Sequence, residues 1–167
     1  MTNRLIPAFT AVGALFLSGL AIALVFGLLA GGGAEPLLIV DPGPVVRWGI
    51  PVAKAFVHFG AALAVGSLMV AAFVLTRRSR AFSLSLTVAA WGAGLMTVAG
   101  AASAFLTFMA IYVEPVSIDQ RFGDLLWLYL QSTEIGRSWL ITVGLGAIVT
   151  VLSVVVRSFG GVFAAGV

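Results

Sequence analysis

The chain has 167 residues, 61% of them hydrophobic and only 9% charged, with no cysteine and a formal net charge of +3. Soluble domains carry roughly a quarter charged residues, so a water-soluble fold is excluded and the chain reads as an integral membrane protein. The lack of cysteine excludes disulfides, thiolate metal sites and iron–sulfur ligation, and with His58 as the single histidine a closed zinc site of the usual kind is excluded as well.

The positive charge is topological rather than a footprint for nucleic acid. Glu35, Asp41, Glu114, Asp119, Asp124 and Glu134 all fall in two connecting regions, whereas the opposite ends carry only arginine: Arg4, then Arg77, Arg78 and Arg80, then Arg157. Short loops rich in Lys and Arg stay in the cytoplasm. The expectation is a multi-pass protein of a bacterial plasma membrane, with the N-terminus, the 77–82 loop and the end of the fourth span inside and both acidic loops outside.

A first span is predicted over about residues 5–31, uncharged after Arg4. A Gly-x-Ala pattern at 32–34 is compatible with signal-peptide cleavage, but the apolar run exceeds the roughly 7–15 residues of a signal core. Gly19, Ala23, Gly27 and Gly31 form a ridge at four-residue spacing, read as an ordinary helix-packing feature. The loop GGGAEPLLIVDPGPVVRWG breaks helix repeatedly through glycine and proline, and its LLIV patch is suited to dip into the interface. Trp48 beside Arg47 marks the outer boundary of the second span, about 49–76, with Pro51 expected in its first turn.

That second span holds the only lysine and the only histidine, Lys54 and His58, four residues apart and therefore on one helical face. At about 1.5 Å per residue Lys54 lies about 9 Å below Trp48, within snorkelling reach of headgroups, and His58 about 15 Å below it, closer to the midplane. Ionisable residues inside spans face partners or polar cavities. Lys54 can pair with an outer carboxylate (Glu114, Asp119, Asp124 or Glu134), and His58 can bond to a hydroxyl or carbonyl on the third span. A proton or ion relay is the third reading, without intramembrane carboxylates to extend it.

The third span, about 82–112, is rich in small and hydroxyl residues such as Gly92, Gly94, Thr97, Gly100, Ser103 and Thr107, as suits a helix surrounded by protein. In the polar loop after it, Ile118, Phe122, Leu125, Leu126, Tyr129 and Leu130 recur at three- and four-residue spacing with Asp119, Arg121 and Asp124 off that face. An amphipathic helix on the outer surface is predicted over about 117–132, although a packed loop helix would read almost the same. A fourth span covers about 138–156, where Glu134 and Arg137 can pair across one turn and Arg137 and Trp139 can anchor the interface. Residues 158–167 look like the start of a fifth span, so the chain is expected to be part of a longer protein. The fold class is thus all-α, with four transmembrane helices and an extracytoplasmic amphipathic helix in one domain.

Two stretches carry a family resemblance. DPGPVVRWGIPVAKAFVHFGAALAVGSLMVAAFVL resembles the opening of the CopD-like region of actinobacterial membrane proteins, where it commonly precedes a CtaG-like cytochrome oxidase assembly region. STEIGRSWL, residues 132–140, resembles the S/T-x-x-G-R-x-W-L signature that opens a later span of CopD-type copper proteins, placing Gly136, Arg137 and Trp139 on that signature. The resemblance implies copper transport or handling at the inner membrane, linked to oxidase assembly. Copper(I) favours thioether and thiolate, with imidazole acceptable, so the implied ligands are His58 and Met109; Met69, Met96 and Met1 are the other thioethers. Histidines expected in later spans of that family would lie beyond residue 167. The alternative is a non-catalytic accessory or scaffold subunit, with the lipid bilayer, the rest of a longer chain, a respiratory oxidase or another membrane complex as partner and no metal. No nucleophile–base arrangement or phosphate loop is present, since no helix carrying Lys-Ser/Thr follows Gly31-Gly32-Gly33, and no enzyme is expected.

Overall fold

A computed structural model of the chain describes residues 5–32, 41–76, 79–112, 117 and 119–164; for 5–13, 16–17 and 157–164 it describes the backbone alone. Five helices and no strand occur among the described residues: α1 (Leu5–Ala30), α2 (Pro44–Phe73), α3 (Arg80–Tyr112), α4 (Gln120–Ser132) and α5 (Glu134–Ala164). Three helical stretches, Pro44–Phe73, Arg80–Tyr112 and Glu134–Val156, are long and apolar enough to cross a membrane. The fully described part of α1, Ser18–Ala30, is apolar but shorter than a span. The LLIV patch, Arg77, Arg78, Glu35, Glu114 and Ile118 lie outside the described residues.

The second helix starts earlier than its hydropathy suggests. Gly43, at φ 90°, precedes Pro44, whose ring suits the first helical turn. The Asp41 carboxylate accepts from the Gly43 N–H at 3.0 Å and lies 3.3 Å from the Arg47 Nε, tying the first turn to the chain before it. Pro51 is consequently in the helix interior rather than in the first turn, where its missing N–H removes a ladder bond. Towards its C-terminal end α5 passes Arg157 without interruption and continues to Ala164, so residues 158–164 extend α5 instead of starting the separate fifth span expected there.

Helix α3 is the centre of the packing: α2 and α5 both lie along it, and α4 packs on α5 and on α3. Its small residues account for this. A Cβ on Gly60 would lie 2.6 Å from the Gly92 carbonyl oxygen and 2.7 Å from the Met96 nitrogen, and a Cβ on Gly92 would lie 2.7 Å from the Ala64 nitrogen. Backbone therefore meets backbone where α2 and α3 cross. The buried residues of α2 repeat at seven, Val46–Ala53–Gly60 and Val57–Ala64–Ala71, which keeps one seam against the partner helix. On the other side of α3, Gly100 faces Val143 and Gly146 faces Thr97. The hydroxyls of Thr97, Ser103 and Thr107 donate to the carbonyls of Ala93, Ala99 and Ser103 on their own helix, at 2.7–2.9 Å. They serve α3 itself rather than bridging to α2.

Large apolar side chains cover the outside, among them Trp91 (77% exposed), Val98, Ile141, Ile148 and Leu152. Exposed apolar surface of this extent fits contact with lipid rather than water. Helix α4 closes one end. Asp119 caps it by accepting from the Phe122 N–H at 2.8 Å, and this bond, helped by Ser117, holds its carboxyl below the usual range. Phe122 and Tyr129 then pack on Phe108 of α3 with ring centroids 5.4 and 5.7 Å away. Tyr129 is fully buried, and burial, with a smaller contribution from Tyr112, pushes its phenol upward. The apolar face read from Phe122, Leu125, Leu126, Tyr129 and Leu130 is thus the face packed on protein, with Trp127 and Leu128 exposed beside it.

The glycine contact between α2 and α3 yields a direct test. Gly60→Ala should lower stability by about 1–3 kcal/mol, the usual cost of overpacking a tight contact. Gly94→Ala, where nothing lies within 4 Å, should be neutral or slightly stabilising. Unfolding by SDS from mixed micelles measures both.

Candidate functional site

The registers of the three packed helices set the level of every candidate residue. Gly49 lies beside Leu106, and Gly60 beside Gly92 and Met96, so α2 and α3 run antiparallel. Gly100 beside Val143 and Gly146 beside Thr97 make α3 and α5 antiparallel too. Between Arg137 and Arg157, α5 carries nineteen uncharged residues, about 28 Å of helix at 1.5 Å per residue, close to a hydrocarbon core of about 30 Å. The middle of that stretch is Ala147. His58, two residues from Gly60, is level with Met96 and Thr97, and through Thr97 with Gly146. It therefore sits at the centre of the charge-free layer. Lys54 is one turn, about 6 Å, nearer the Trp48 end.

Both side chains are exposed on α2. Arg47, Lys54 and His58 follow one another at spacings of seven and four, which places them within an arc of about 40°. The seam that meets α3 lies about 110° around the helix from that arc. Arg47 reaches Asp41, but among the described residues neither the Lys54 nor the His58 side chain makes a hydrogen bond or an ion pair. The expected pairing of Lys54 with Asp119, Asp124 or Glu134 is not formed. His58 does not reach the hydroxyls of α3, because it points away from that helix. Glu134 and Arg137 are both exposed and unpaired with one another.

Among the described residues the thioethers do not converge on His58; Met1 lies outside them. Met109 lies three residues beyond Leu106, near the level of Val46, about 18 Å along the axis from His58. Met69 shares the outward side of α2 but is eleven residues away, about 16 Å. Met96 is level with His58, yet its backbone lies in the seam with Gly60. Among the described residues no three His, Cys, Asp or Glu side chains gather in a way that could hold a metal. The His58 imidazole has no second ligand within reach among the described residues.

Gly136 of the Gly-Arg-x-Trp-Leu element has a structural role. Thr133 is the single residue between α4 and α5, in extended conformation. Its hydroxyl donates to the Tyr129 carbonyl at 2.8 Å and accepts from the Gly136 N–H at 2.9 Å, so it ends one helix and caps the next. Gly136 is buried in the corner; a Cβ there would collide with the Tyr129 carbonyl and come 2.8 Å from the Leu130 Cα. Arg137 is exposed and Trp139 half-buried at the start of α5. Local sequence does not mark Gly136 and Thr133 as a corner, nor Gly60 and Gly92 as a backbone contact. The seven-residue repeat of small residues in α2 was the available signal for the latter.

The chain matches no family model, no curated protein and no solved structure. The CopD-like resemblance rests on the two quoted stretches alone.

Gly136→Ala should open the α4–α5 corner and cost more than Gly144→Ala, whose position has nothing within 4 Å. The expected loss is about 1–3 kcal/mol, read as a lower unfolding midpoint together with faster amide exchange at Tyr129 and Leu130.

Proposed function

We propose that this chain is a non-catalytic, multi-pass subunit of a larger assembly in a bacterial plasma membrane. In this reading α1 joins α2, α3 and α5 as a fourth span, the N-terminus and the Arg157 end lie in the cytoplasm, and α4 lies at the outer surface. The observation that carries it is the outward placement of Lys54 and His58 at the level of the uncharged layer, away from every helix packed on α2. Ionisable side chains within a span are costly there and face the protein interior or a polar cavity. Protein from outside this bundle would supply that cover. The sorting of arginines to one side supports the orientation, and Trp127 and Leu128, exposed beside Arg121 and Asp124, suit an interfacial α4. A photoreactive residue placed at Val65, on the same side of α2, should give protein adducts in native membranes, and one at Trp91 should give mainly lipid adducts. Lipid adducts alone at Val65 would remove the basis for this reading.

Copper handling linked to oxidase assembly is the second reading, favoured by the accessible His58 imidazole together with the CopD-like stretches. A copper ion there would take its remaining ligands from a partner or from further chain. Metal analysis of the purified protein at a defined redox state, beside His58→Ala, separates the two. Near-stoichiometric copper that disappears in the variant supports copper handling, and no copper in either supports the subunit reading.

A further inference from the structure

We infer that the Lys54–His58 face of α2 receives a transmembrane helix of another protein that carries a single carboxylate near the middle of the bilayer. The inference rests on the subunit reading above and specifies the partner's chemistry. Lys54 and His58 stand one turn apart, about 6 Å, on the same exposed arc, so the two oxygens of one carboxylate can take an ammonium and an imidazole N–H together. A charge-assisted pair of this kind is the strong form of hydrogen bond.

Charge complementarity and depth select this occupant over the alternatives. The chain itself has no acid between Asp41 and Glu114 or between Glu134 and its end, so none of α2, α3 or the uncharged stretch of α5 can provide the carboxylate. A second copy has the same deficit, and pairing two α2 faces about a twofold axis would set lysine and histidine against lysine and histidine. Helix α1 carries no charge at all, with Thr10 and Ser18 as its only polar side chains. A lipid phosphate at the headgroup level could be reached by a snorkelling Lys54 but not by His58, which is level with the midpoint of the charge-free layer. Beside the polar arc, Ala55, Ala62 and Gly66 form a strip of small residues, and nothing lies within 4 Å of a Cβ built on Gly66. A helix can therefore approach closely enough for its carboxylate to reach both groups.

The test uses the intact protein in phosphatidylcholine vesicles, labelled at a cysteine introduced by Ser79→Cys, which is unique because the native chain has none. The probe is a synthetic Leu/Ala helix of membrane-spanning length with one Glu two residues from its midpoint, compared by energy transfer with the same helix carrying Gln. The Glu helix should associate about ten-fold more tightly, equivalent to about 1.4 kcal/mol. Lys54→Gln combined with His58→Gln should erase the difference, and Lys54→Arg should retain most of it. Equal association of the Glu and Gln helices overturns the inference, as does a difference that survives the double variant. Self-association of the protein that is lost in the double variant would assign the face to a second copy. Loss of the Glu preference when phosphatidylglycerol is added would assign Lys54 to lipid. Either result also overturns it. Protein adducts at Val65 with no Glu preference would leave the subunit reading standing and remove only the carboxylate.

Discussion

The backbone contact between Gly60 and Gly92 is the constraint on which the rest of the arrangement depends. Two helices can come this close only where neither carries a side chain, and lipid offers no hydrophobic drive to hold them together otherwise. With a Cβ on Gly60 only 2.6 Å from a carbonyl oxygen, the register of α2 on α3 cannot slide by a residue without collision. The heptad of small and β-branched residues around it extends the same seam from Val46 to Ala71. Because α3 also takes α5 through Gly100 and Gly146, one rigid helix transmits a common level to both neighbours.

That shared level gives the polar residues their meaning. The sequence places Lys54 and His58 at a depth below Trp48, and the packing sets that depth against the uncharged stretch of α5 through α3. The same packing that buries alanine and glycine on one side of α2 turns Lys54 and His58 outward. The hydroxyl-rich α3 is no substitute partner, since Thr97, Ser103 and Thr107 spend their donors on their own carbonyls. Serine and threonine in a helix commonly bond back to the preceding turn.

The end of the bundle at α4 obeys a different rule. Thr133 and Gly136 make a turn of one residue between two helices, with the hydroxyl serving both. Tyr129, Phe122, Phe108 and Tyr112 fill the angle beneath it. Of the sequence element that resembles a copper-protein signature, Gly136 is the residue that the corner requires.

The amino-acid sequence by itself determined the all-α class, the long apolar helices α2, α3 and α5, and the apolar face of α4. Each of these follows from local composition and periodicity, which need no knowledge of neighbours. It also marked Lys54 and His58 as the residues to watch, because an ionisable group in an apolar run is conspicuous wherever the run packs. Only the tertiary structure decided that they face outward, that His58 and Met109 stand about 18 Å apart along the axis, that Pro51 is interior to α2, and that Gly136 belongs to a corner. Those facts depend on which side of one helix meets another and at what register, and that is settled by close contacts between residues far apart in the chain.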